Sequence, residues 1–183
     1  MMGFKRLTRR FGRSERGASA LEFAMLSPIF FVFMFGAYDM GITMIRQVTL
    51  SASLDRVMRE VRLTGTVEGQ SDPDTQDVAN AVCRYSSLIP NCETTIVVDV
   101  REIRTANDFP AGNAPCIDRG QNDLRPATTQ LPGGSNRQIL VRVCAVASSI
   151  TGMAMVGYGG GFQQENADGD IIIRAATAYV QEF

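Results

Sequence analysis

The chain changes its hydrophobic rhythm three times. A basic, polar N-terminal segment to Arg16 gives way at Gly17 to a run in which Glu22 and Asp39 are the only charges before Met44. Gly17 to Tyr38 is long enough to cross a hydrocarbon core of about 30 Å as a helix of about 20 residues. From there the pattern becomes amphipathic. Leu50, Leu54, Val57 and Val61 recur at helical spacing while Arg56, Arg59, Glu60 and Arg62 face elsewhere, which predicts a helix continuing to about Leu63 and stopping at Gly65. Asp72-Pro73 then predicts a second helix, with Asp72 as N-cap and proline at the first helical position. Its apolar face is Val78, Ala81, Val82 and Tyr85, and the Cys83–Cys92 segment ends it at Pro90.

Period-two alternation follows. Thr94 to Ile103, Gln138 to Ala147 and Ile171 to Val180 read as strands. Phe109 to Gly134, rich in Pro, Gly, Asn and Asp, reads as a long loop held by Cys116. Helices first and strands later predict an α+β fold: a long N-terminal transmembrane and amphipathic stem helix, a short second helix, and a small antiparallel sheet packed on the stem. The expected organisation is a basic cytoplasmic leader (1–17), a transmembrane helix (18–44), a stem extension (45–65) and an extracytoplasmic domain (66–183). No internal repeat is present.

Charge fixes the expected orientation. The formal net charge of −1 hides a leader with six basic residues and one acidic one, against a remainder with 12 basic and 18 acidic residues. A +5 segment beside an apolar span reads as cytoplasmic by the positive-inside rule, which sends the rest across the membrane. The same reasoning argues against nucleic acid as the partner of the basic arm. A secretory signal peptide is the rival reading of a basic start and an apolar core. Against it stand the acidic Glu22, the length of the span, and the want of a convincing small-x-small cleavage site before Asp39.

Glu22 is the candidate functional residue. A carboxylate at a bilayer position costs about 2.5–3.5 kcal/mol on insertion scales, so it asks for a partner; a charge snorkelling at the rim is the bland alternative. Gly17, five residues earlier, suggests one. A cut after Gly17 makes Ala18 the N-terminus, and the new ammonium of a neighbouring copy would neutralise Glu22. Pro28, inside the span, removes a backbone donor, which membrane helices tolerate.

The segment Arg16-Gly17-Ala18-Ser19-Ala20-Leu21-Glu22-Phe23 resembles the processing site of type IV prepilins, and most closely that of the TadE-like family of minor pilins, or pseudopilins, of tight-adherence (Flp) pili. The match continues through Pro28, Phe35-Gly36 and Tyr38-Asp39 to Arg46-Gln47, with a weaker likeness in the tail from Arg174 to Glu182. The resemblance implies a prepilin peptidase recognising Gly17, Ala18, Glu22 and Phe23, an N-methylated Ala18, and subunit pairing through Ala18 and Glu22. It also implies major and minor pilins and an inner-membrane assembly platform as partners. The location implied is the bacterial inner membrane, single-pass, with the C-terminal domain periplasmic or carried into an extracellular pilus. An uncleaved membrane-anchored binding or assembly-factor domain is the alternative.

Cys83, Cys92, Cys116 and Cys144 all fall on the inferred outer side, where an even number argues for two disulfides with three possible connectivities. Cys83 with Cys92, close in sequence, is the favoured short loop, and Cys116 with Cys144 follows by elimination. Zinc fits poorly, since the spacing is wide and the chain has no His. The same lack of His removes the commonest general base, and no enzyme or cofactor signature is present. The glycine run 157–161 lacks the Lys-Ser/Thr of a phosphate loop and reads as a turn. Asn166-Ala167-Asp168-Gly169-Asp170 resembles part of a calcium loop but lacks its downstream Glu.

Overall fold

The structure, a computed structural model, describes residues 18–110, 112, 116–117, 131–132, 136–148, 164–165 and 170–181. The predicted architecture is present: a long N-terminal helix, a short second helix and small antiparallel sheets, hence α+β. Two compact units divide the chain between Tyr38 and Asp39.

Helix α1 spans Ala18–Thr64 without a break. In the first unit its side chains are exposed, among them Leu21, Phe23, Phe30, Phe33 and Tyr38. Phe31 stacks on Phe35 one turn away, centroids 6.1 Å apart. Pro28 lies inside this part of the helix and has no N–H for the carbonyl one turn back. In the second unit the same helix turns core-former. Leu50, Leu54, Val57 and Val61 are almost fully buried, as their spacing predicts. The helix ends where Gly65 takes a left-handed φ of 69° and its N–H reaches Val61 O at 2.8 Å. This is an αL C-cap, a conformation that glycine adopts without a Cβ penalty.

A hairpin absent from the sequence-based expectation follows. Strand β1 (Thr66–Val67) pairs antiparallel with β2 (Gln70–Ser71) around Glu68 and Gly69, both at positive φ. Two consecutive left-handed residues make the turn whose twist suits a two-residue hairpin.

Helix α2 spans Thr75–Tyr85, and its cap is Asp74, not Asp72. Asp72 sits at φ 57° on leaving the hairpin, a conformation outside the extended range of an N-cap. Asp74 Oδ1 accepts from the backbone N–H of Gln76 and Asp77 at 2.8 Å each. Asp77 Oδ2 in turn accepts from the backbone N–H of Asp74, so two carboxylates close a capping box. Val78, Ala81 and Val82 are buried as expected. Tyr85 is exposed instead, with the Arg56 guanidinium 4.1 Å from its ring centroid, because it stands at the helix's last turn beside the stem. The helix stops at Tyr85, before Pro90, and a single turn, α3 (Cys92–Thr95), intervenes before the sheet. Asn91 begins it with a left-handed φ of 51°.

The main sheet orders its strands β3-β4-β6-β5, all antiparallel: β3 Ile96–Ile103, β4 Arg137–Ala147, β5 Gln164–Glu165 and β6 Ile171–Gln181. β3 starts two residues later than its alternation suggests because α3 consumes Thr94 and Thr95. One sheet face carries Ile96, Val98, Ile139, Val141, Val143, Ile171 and Ile173, which form a single core with the α1 stripe and α2. The other carries Val97, Asp99, Arg142, Cys144 and Arg174. A 3₁₀ turn at Ala106–Asp108 closes the end of β3, with Asp108 Oδ2 accepting from Arg104 N and Thr105 N.

Candidate functional site

The predicted processing residues lie at the start of α1. Gly17 falls outside the described residues, and Ala18 is the first helical residue. Glu22 follows four residues on, one turn and about 6 Å along the axis. Its side chain is exposed and has no hydrogen-bond or ion-pair partner among the described residues. Phe23 beside it is 70% exposed. The next charge along the helix is Asp39, so the carboxylate heads a stretch of α1 long and apolar enough to cross a membrane, none of it covered. An unpartnered carboxylate at the end of an apolar helix is stable in water; in lipid it requires a proton or a cation.

Farther along α1, polar residues do a different task. Arg46, only 6% exposed, donates from Nε to Leu88 O at 3.1 Å and from Nη1 to Ser148 O at 3.2 Å. Leu88 lies between α2 and α3, and Ser148 directly follows β4. Gln47 donates through Nε2 to Arg174 O on β6. Ser53 and Ser86, both buried, share a 2.6 Å hydroxyl–hydroxyl bond. These contacts join the stem to three separate parts of the domain. In the sequence Arg46-Gln47 stood out only as the end of a family resemblance; partners 42, 102 and 127 residues away left no local signal.

Both cysteine pairs are bonded as favoured: Cys83 to Cys92, and Cys116 to Cys144. The first closes the segment between α2 and α3. The second fastens to the sheet face away from the stem, where Arg142 also reaches Gly112 O at 3.0 Å and pairs with Asp99. At the edge of the sheet, hydrogen bonding to Arg104 is the main cause holding the Glu102 carboxyl below its usual range, with Arg137 adding to it.

The tail residues Arg174 and Tyr179 do not form one site. Register places Arg174 opposite Cys144 and Tyr179 opposite Ile139, on opposite faces of β6. Arg174 Nε and Tyr179 Oη are both buried without a hydrogen-bond partner among the described residues. Burial pushes the Tyr179 hydroxyl up to about 12. The glycine run 157–161 and Asn166–Gly169 lie outside the described residues, while Asp170, directly before β6, is buried.

The Asp39–Thr64 part of α1 forms one wall of a disulfide-braced α+β domain, and the Ala18–Tyr38 part is apolar and exposed. The family model described as TadE-like protein matches residues 17–59, from Gly17 into the core-facing part of α1, so this stretch is similar to TadE-like proteins. Compared with curated proteins and with solved structures, the chain gives no match.

Proposed function

We propose that this protein is a minor pilin, or pseudopilin, contributing to the assembly of a tight-adherence (Flp) type IV pilus and matured by a prepilin peptidase between Gly17 and Ala18. The observation that carries this reading is Glu22: a carboxylate without a partner among the described residues, one turn into an exposed apolar helix, inside the segment matched as TadE-like. The role is structural, with no catalysis by this chain.

The chemistry follows from removing the leader. Cleavage discards the basic residues up to Arg16 and exposes the Ala18 α-ammonium at the tip of α1. Within one chain that ammonium and Glu22 approach only loosely. A neighbouring stem, shifted along the axis by about one turn, sets its Ala18 ammonium against this Glu22. The pair neutralises both charges in the low-dielectric layer, where each alone is costly. Phe23 and the aromatic residues that follow supply the apolar surface around it.

In this reading the protein is a single-pass inner-membrane protein with the leader cytoplasmic and the head periplasmic. Its partners are the prepilin peptidase, major and minor pilins, the assembly platform and membrane lipid. Mass spectrometry of the mature N-terminal peptide tests the proposal. A peptide starting at Ala18, lost in a Gly17→Arg variant, is the expected result; an intact basic leader on the exported protein assigns it instead to an uncleaved anchor.

A further inference from the structure

The two disulfides hold different things, and the difference points to a use for one of them. Cys83 closes the last turn of α2 and Cys92 opens α3, nine residues on. Between them the backbone is shaped by two turn bonds, Ser86 N to Cys83 O and Ile89 N to Ser86 O, each 3.1 Å, and by the left-handed Asn91. This segment has two inward functions. Ser86 meets Ser53 of the stem, and the Leu88 carbonyl receives Arg46 while the Leu88 side chain is turned outward and exposed. Ile89 anchors it in the core.

Arg46 makes the arrangement consequential. A buried guanidinium is tolerable only while its donors are satisfied, and one of its two carbonyl acceptors among these contacts belongs to a loop with no strand or helix of its own. A short loop with a left-handed asparagine has many alternatives once its ends are free. Linking the ends removes most of them.

We propose that the Cys83–Cys92 disulfide is an oxidation-operated latch: forming it fixes the Ser86–Asn91 segment as the seat for Arg46 and Ser53, so this loop locks onto the stem only in an oxidising compartment. The step is a thiol–disulfide exchange. The two thiols lose two protons and two electrons to the disulfide of an oxidant protein, which leaves as a dithiol, and one S–S bond replaces another. Cys116–Cys144 has no such role, because Cys144 lies on the sheet face opposite the stem, where Gly112 O receives Arg142.

Hydrogen exchange read by mass spectrometry on the purified full-length protein in detergent micelles tests this without any pilus. In a Cys83→Ala/Cys92→Ala variant, amides of the stem from Gln47 to Leu54 should exchange on the order of tenfold faster or more, while those of β4 from Val141 to Ala147 stay slow. Arg46→Gln, with both disulfides intact, should loosen the same stem segment. Cys116→Ala/Cys144→Ala should leave it unchanged relative to β4. Stem amides that keep their protection without Cys83–Cys92, or that loosen only together with β4, overturn the latch. If the double variant does not fold, graded reduction of the wild-type protein replaces it. Loosening of Gln47–Leu54 in step with alkylation of Cys83 and Cys92 is then expected, and loosening only at global unfolding is the refuting result.

Discussion

The two halves of α1 share a backbone and differ in what surrounds it. From Ala18 to Tyr38 the large side chains are apolar and uncovered, and the one charge, Glu22, has no partner among the described residues. From Asp39 to Thr64 one apolar stripe, Leu50, Leu54, Val57, Met58 and Val61, is buried while Met44, Ile45, Val48 and Leu63 stay exposed, and the inward polar residues, Arg46, Gln47 and Ser53, are hydrogen-bonded to the domain. Hydrophobic content alone therefore does not say where a residue goes. An all-round apolar helix suits lipid or neighbouring helices, whereas a stripe with polar residues aimed at distant carbonyls suits its own domain.

The contrast predicts unequal sensitivities. Leu54→Ala should destabilise the head by about 2–5 kcal/mol in denaturant unfolding, through lost burial and a residual cavity, whereas Phe30→Ala should leave that transition where it was. Equal shifts for the two would erase the distinction between the halves. On the proposed pairing Glu22→Ala reverses the pattern: head stability unchanged, co-purification of partner pilins reduced, by less than the ~3–5 kcal/mol of a fully buried broken pair because Glu22 stands at the exposed start of the helix. Glu22→Gln should fall between. Normal recovery of partner pilins with Glu22→Ala would sink the pairing.

Smaller effects sharpen the account of the head. Asp74→Ala should cost about 1 kcal/mol by removing one side of the capping box, and Asp72→Ala should cost less, which distinguishes the observed cap from the one suggested by Asp72-Pro73. Tyr179→Phe should be close to neutral at pH 7, since its buried hydroxyl has no partner among the described residues to lose. The two proteins should part in alkali. With its folded-state value raised to about 12 from a usual 10.0, Tyr179 keeps its proton in the folded state after the unfolded chain has lost it. Wild-type stability therefore falls between those limits, and the Phe variant should lack that component in pH-dependent thermal melts.

Periodicity made the long elements legible. The Leu50–Val61 stripe, the Val78–Val82 face and the three long strands all carry enough repeats for their period to be unambiguous. Two-residue strands carry no period, so β1, β2 and β5 left no trace, though Glu68-Gly69 is a turn signal in retrospect. Asp72 misled because two aspartates flank Pro73, and only the backbone angle decides which one caps. The site divided along the same line. Glu22 was visible as a charge in the wrong solvent, while the contacts of Arg46 and Gln47 depend on how the chain returns to the stem after the sheet is built.

Strand β4 is paired along both edges from Gln138 to Ala145 and buried on both faces from Val141 to Ala147. Opening one neighbouring strand frees only the amides that face it, and the covered faces still hold the strand in the core, so the β4 amides should be among the last of the head to exchange. Cys144 stands in that stretch, bonded to Cys116. The segment beside Cys116 is thus moored to the slowest-opening part of the molecule, and tension on it would be transmitted first to the strand least able to yield.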